Sequence, residues 1–212
     1  METHFLVLII GFSYAVLFAG MSVLRGEGFS MQFTLEAVAL TVLVAAGSWL
    51  SGSQVNPALF LAFIYLVTMR SRLLVDLATL FSNRGRQRNA VSILQTALRL
   101  LPDRASRLIV LVSMGIVQLR RESPASAQNL LEMVIEEAKQ GGLSMRHAAA
   151  CHYNLAIALR QQGEDAKAVR HFREAAEGFP GSPYGRAAQR ALEERRRGKK
   201  GASGASDEVD PE

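Results

Sequence analysis

The sequence predicts an all-α protein, with three membrane-spanning helices ahead of a short solenoid of about three helix pairs and a capping helix. Three observations predict it. Up to Met69 the only ionisable side chains besides tyrosines are Glu2, His4, Arg25, Glu27 and Glu36, whereas charge is dense beyond it. Beyond residue 70 no strand-like alternation occurs, and apolar residues follow a helical period. Laid over that period is a larger self-similarity, in which one spacing pattern returns further along the chain.

The apolar part, residues 1–69, divides into three segments. Residues 5–24, FLVLIIGFSYAVLFAGMSVL, hold no charge. At about 1.5 Å per residue their 20 positions match a hydrocarbon core roughly 30 Å thick. A cleavable signal peptide would have a basic start, and METH contains neither Lys nor Arg. Residues 31–50 form a second span with Glu36 about a turn inside its start, where the interface and the positive end of the helix dipole both favour a carboxylate. An intramembrane functional carboxylate is the competing role for Glu36. The third segment, residues 55–69, is short. Asn56 suits an N-cap, Pro57 suits the first helical position, and Ser51-Gly52-Ser53 suits a turn. With no helix breaker between Pro57 and Asn83, this helix is expected to run unbroken out of the bilayer.

Arginines 70, 72, 84, 86 and 88 follow the third segment and Arg25 lies between the first two, while the N-terminus and residues 51–56 have no Lys or Arg. The bias of basic residues toward the cytoplasm then predicts an N-terminus outside and everything after Met69 inside, at the inner membrane if the cell is bacterial.

In residues 164–180, Ala168, Phe172, Ala175 and Pro180 stand at the same spacings as Ala90, Leu94, Ala97 and Pro102 in residues 86–102. Upstream, Leu77-Ala78, Phe81 and Gly85 match Leu155-Ala156, Leu159 and Gly163. The small residues allow close helix approach, the glycines end each first helix and the prolines stop each second one. This arrangement resembles the tetratricopeptide repeat, a pair of antiparallel helices about 34 residues long. Copies are expected at about 71–104, 108–141 and 149–182, within a repeat domain at 70–197. The middle copy is looser: Gly115 takes the small position, Ala127 and Leu131 follow, Val134 replaces an alanine, and no proline closes it. Residues 139–147, KQGGLSMRH, read as an insertion. The apolar stretch 107–119 reads as a helix buried between repeats rather than a further span.

Residues 183–197 read as a capping helix, and residues 198–212, basic and then Gly/Ser-rich and acidic, as a disordered tail. The basic run 195–200 suits either anionic lipid headgroups or a solvated helix end.

The sequence holds no phosphate-binding glycine loop, no nucleophile elbow and no metal-ligand cluster, so no catalytic residue, cofactor or metal is expected. A single cysteine, Cys151, excludes an internal disulfide and reads as a packing residue, as does His152. A formal charge of +5 reflects an arginine-rich composition, and no nucleic acid is expected as a partner.

The resemblance implies a concave groove lined by the first helix of each pair, which takes a peptide or partner protein. Carried over position by position, it would present Arg72, Asp76, Thr79 and Asn83 from the first pair. The second would contribute Ser113, Ile116 and Arg120, and the third Tyr153, Asn154, Ile157, Arg160 and Gln161. The lysines of the chaperone-binding carboxylate clamp are missing, so that ligand is not implied. The layout resembles that of bacterial assembly factors for membrane complexes, and by that analogy an adaptor for such a complex is the first functional expectation. The alternative is a small homo-oligomeric channel or transporter component with a regulatory repeat domain, worked by Glu36 and the Asn56-Pro57 break. Asn56-Pro57-Ala58 is similar to the aquaporin tripeptide, but that family needs two such motifs and six spans.

Overall fold

The computed structural model describes residues 3–206, with side chains from 3 to 197, and among these every regular element is helical. Three helices form the apolar end: α1 (Thr3–Leu24), α2 (Met31–Ser51) and α3 (Pro57–Thr68). Seven follow: α4 (Arg70–Asn83), α5 (Gln87–Arg99), α6 (Arg104–Arg120), α7 (Pro124–Ala138), α8 (Met145–Gln161), α9 (Asp165–Gly178) and α10 (Pro183–Ser206).

Helices α1 and α2 are long and apolar enough to cross a membrane. They cross closely because Gly11 leaves room for Thr41, whose side chain would collide with any Cβ at that position. Val7, Tyr14, Ala15, Ala37, Ala45, Phe60 and Ile64 form the shared interior with α3, while Phe12, Val16, Leu17, Leu43, Leu59, Phe63 and Leu66 point outward. An apolar exterior around an apolar interior is what a lipid solvent selects. Asn56 caps α3 by accepting from Ala58 N and Leu59 N at 2.9 and 3.4 Å, with Pro57 at the first position.

The third segment does not continue straight into the repeats. The chain bends by 73° between α3 and α4, around Met69. No residue there breaks a helix by propensity, and the bend is held by tertiary partners instead. Thr68 Oγ1 turns back to Ile64 O at 2.7 Å and meets the Tyr14 hydroxyl at 2.7 Å. The Arg70 guanidinium donates to Val67 O at 2.8 Å, satisfying a carbonyl that the end of α3 leaves free. With 12 residues, α3 alone is about 18 Å long and falls short of a full hydrocarbon core. The count is therefore two spanning helices, or three if the bent pair is taken as one.

From α4 onward, sequence neighbours pack as α4 on α5, α6 on α7 and α8 on α9, with α10 closing on α9. First helices also stack on one another, α4 on α6 and α6 on α8. Small residues set the spacing: Ala78, Ala90, Ala97, Ala156, Ala168 and Ala175 are buried. A Cβ at Gly115 would stand 2.8 Å from the Leu131 side chain. Helix α6, apolar nearly all round, lies against α4, α5, α7 and α8 and joins the two interior clusters of the solenoid-like region.

Helix α10 runs on to Ser206, past residue 198 where the tail is expected to begin. The rest of that tail, 207–212, lies outside the described residues.

Candidate functional site

The first helices of the pairs lie side by side, and a groove of about 330 Å³ opens between α4, α6 and the start of α8. Asp76, Thr79 and Ser82 come from α4, and Ser113, Ile116 and Arg120 from α6. Arg146, His147 and Ala150 of α8 and Tyr184 of α10 complete the wall. The mixture is of apolar floor and polar edge, with a guanidinium on two sides, and suits a peptide held by both side chains and main chain.

Arg120 is the organised charge in this groove. It donates to Ser82 Oγ at 2.7 Å and to Asn83 Oδ1 at 2.8 Å, so neutral groups on α4 hold it in place and leave its charge free for a ligand. Ser82 in turn donates to Gln87 Oε1 at 2.8 Å. His147 meets Ser144 Oγ at 2.8 Å, and burial pushes its imidazole below the ordinary histidine value, with Arg146 and Arg72 acting in the same direction and Glu27 against it. His147 is therefore a neutral hydrogen-bonding group at pH 7.

Of the twelve residues inferred from the repeat positions, Asp76, Thr79, Ser113, Ile116 and Arg120 line this groove, and Asn83 is tied to it through Arg120. Arg72 points away, pairing with the buried Glu27 of the α1–α2 loop at 2.5 Å. The third-pair residues are engaged elsewhere. Asn154 is buried and donates to Ala150 O at 2.7 Å, and Ile157 packs on the interior. Tyr153 lies between Phe172 and Tyr184, with ring centroids 5.8 and 5.9 Å away. Arg160 sits over the Phe172 ring at 5.5 Å, and Gln161 is exposed beyond it.

Arg146 and His147 escaped sequence reasoning because residues 139–147 read as an insertion, and Tyr184 because 183–197 read only as a capping helix. Helix α8 begins at Met145, within that stretch, and its extra first turn carries both residues into the groove. Ser144, a good N-cap type just ahead of an alanine-rich run, was the available signal.

A second cluster lies at the junction with the apolar helices. Arg70 holds Glu36 through two bonds, 2.6 and 3.0 Å, and also donates to Leu100 O at 3.1 and 3.0 Å. Gln32 donates to Leu101 O at 2.7 Å. Glu36 is thus engaged in a structural pair rather than free on a span. Cys151 is fully buried beneath Leu131 O, and burial pushes its thiol up to about 12, which removes it as a nucleophile. Among the described residues no group of three or more His, Cys, Asp or Glu could hold a metal ion.

Paired helices stacked through their first members, small residues at the crossings and a groove along the stack define a helical-repeat interaction module. Residues 149–180 match the tetratricopeptide repeat family, so the chain carries a repeat region of that type behind two apolar N-terminal helices. The matched residues cover α9 and most of α8. Comparison with curated proteins and with solved structures finds no match.

Proposed function

We propose that this protein is a non-enzymatic, membrane-anchored adaptor that holds a protein or peptide partner in the α4–α6–α8 groove at the cytoplasmic membrane face. The reading extends to assembly or stabilisation of a membrane complex, because the anchor keeps the groove at a high local concentration relative to partners in the same membrane. The carrying observation is the groove itself, where Asp76, Thr79, Ser113, Ile116 and Arg120 converge on the α8 residues Arg146 and His147. The basic residues after α3 support the cytoplasmic side. The residues that a channel would use are engaged otherwise: Glu36 binds Arg70 and Asn56 caps α3.

Thr79→Asp together with Arg120→Glu places two negative charges in the groove at exposed positions that belong to no interior cluster. The full-length protein, purified in mild detergent, is expected to retain one membrane complex, and the double variant to lose it at least tenfold with unchanged far-ultraviolet circular dichroism. Equal recovery of that complex by both proteins removes the groove from the function.

A further inference from the structure

Helix α4 carries three faces where a helix of a simple stacked pair needs two. Leu74, Val75, Ala78 and Phe81 enter the interior, and Asp76, Thr79 and Asn83 lie on the groove side. Leu73, Leu77 and Leu80, spaced by four and three, form a third stripe that joins no interior cluster. Leu77 and Leu80 are 41% and 45% exposed, and Arg84 continues the same line one turn on.

The junction shows which way this stripe faces. At about 100° per residue, Arg70 and Arg72 fall on opposite flanks of the leucine line. Both reach the apolar helices, Arg70 to Glu36 of α2 and Arg72 to Glu27 of the α1–α2 loop. The cytoplasmic ends of the spans therefore sit under the leucine face. The 73° bend turns α4 away from the direction of α3, which lays it close to parallel with the membrane surface when α3 stands along the bilayer normal. The depth agrees: Arg70 meets α2 at Glu36, about 7 Å inside the end of a helix whose 21 residues match the hydrocarbon thickness. A helix leaving the spans at that depth begins at the boundary between headgroups and acyl chains.

The α5–α6 turn adds to the same surface. Its carbonyls at Leu100 and Leu101 are held by Arg70 and Gln32, while the Leu101 side chain is 77% exposed. Phe179, which precedes Pro180 as Leu101 precedes Pro102, is extended at φ −152° and only 37% exposed. Leu101 instead takes φ +48°, a left-handed conformation unfavourable for leucine.

We infer that α4 is an interfacial helix resting on the lipid bilayer through Leu73, Leu77 and Leu80, with Leu101 inserted beside it and Arg84 at headgroup level. The occupant of this face is lipid, continuous with the lipid-facing surface of α1–α3. The groove side of α4 lies roughly a quarter turn away, so the groove opens along the membrane rather than toward it. The inference rests on the anchored reading of the chain, and the test separates the two.

Trp49 is the only tryptophan and lies exposed near the far end of α2. In full-length protein reconstituted into vesicles with bromine on the acyl chains, Trp49 fluorescence reports whether the spans are inserted. In a Trp49→Phe background, Leu77→Trp, Leu80→Trp and Leu101→Trp report the interfacial face, and Thr79→Trp reports the groove side of the same helix. Severalfold quenching of the three leucine-site tryptophans is expected, with Thr79→Trp unquenched. Quenched Trp49 with unquenched leucine-site tryptophans overturns the interfacial helix and leaves the anchor standing, whereas an unquenched Trp49 overturns both. Leu77→Cys, carrying an environment-sensitive probe, gives the same readout if a tryptophan variant fails to fold, since the buried Cys151 does not compete for label.

Discussion

His152 and His171 stand 19 residues apart and meet across α8 and α9, their Nδ1 atoms 3.0 Å apart and their rings stacked at 5.3 Å. The same register holds Leu74 with Ile93 in the first pair and Leu111 with Leu130 in the second, so two imidazoles replace an apolar pair. A bond between two Nδ1 atoms needs one to carry a proton and the other to accept, which doubly charged rings cannot do. Burial lowers both histidines from their ordinary value. For His171 the neighbouring His152 and Arg170 add to this, and Glu174 and Glu132 oppose it. For His152, Arg170 lowers and Glu174 raises. Because the unfolded chain binds protons more readily than the folded one, this contribution to stability is complete above about pH 6.5. It is lost as the pH falls from there through the folded values. The melting temperature is expected to drop between pH 7.5 and 5.5, and to drop less in His152→Leu/His171→Leu, whose leucines restore the apolar pair. Equal drops in both proteins would count against the pair as the sensor.

At the scale of the element, the ends of the first helices are where sequence and structure agree and where one exception stands out. Gly85 and Gly163 take φ +76° and +80°, and the next residue returns its N–H to the helix: Arg86 N to Phe81 O at 3.0 Å, Glu164 N to Leu159 O at 2.9 Å. The second pair closes identically, Ser123 N to Gln118 O at 3.0 Å, but Glu122 occupies the left-handed position at φ +57°. It lies seven residues after Gly115, as the two glycines lie seven after Ala78 and Ala156. A left-handed conformation costs an L-residue about 1–2 kcal/mol, against about 0.5–1 kcal/mol of extra unfolded-state entropy for glycine. Glu122→Gly is therefore expected to stabilise the protein by about 0.5–1 kcal/mol, measured by urea unfolding, and a loss of stability would contradict this account. These helix ends were legible because small residues, glycines and prolines act locally and recur at one spacing. The bend at Met69 was not, because its causes are Glu36 and Leu100, each about 30 residues from Arg70 and without any local signature. The groove was half legible for the same reason. Positions on α4 and α6 follow from the repeat, whereas Tyr184 enters from α10, and Tyr153 and Asn154 are taken up by packing.

For the whole molecule, the decisive feature is how the repeat region is fixed to the spans. A continuous helix would have joined them through one element. The bend replaces it with a polar junction, in which Arg70 connects α2, the end of α3 and the end of α5. Arg72 and Glu27 form a second strut on the other flank, with Glu27 almost completely buried. The two members of the first pair are not equivalent. Glu36→Gln removes a charge partner but leaves Arg70 its carbonyl acceptors at Val67, Leu100 and Leu101. Arg70→Gln abandons those carbonyls as well as Glu36, and so is expected to be the more damaging change. The pair is about one-quarter to one-third exposed, so its own coupling is expected near 1 kcal/mol rather than the several that a fully buried pair can reach. A double-mutant cycle on unfolding in detergent measures this. Additive losses would dissolve the pair, and a Glu36→Gln loss exceeding that of Arg70→Gln would relocate the hub. The consequence for function is geometric. With both struts intact, paired spin labels on α2 and α8 are expected to give one narrow distance distribution, which Arg70→Gln broadens. On the adaptor function proposed above, a groove presented at a fixed angle to the bilayer would select a partner by where its peptide leaves the membrane, and not by side-chain chemistry alone.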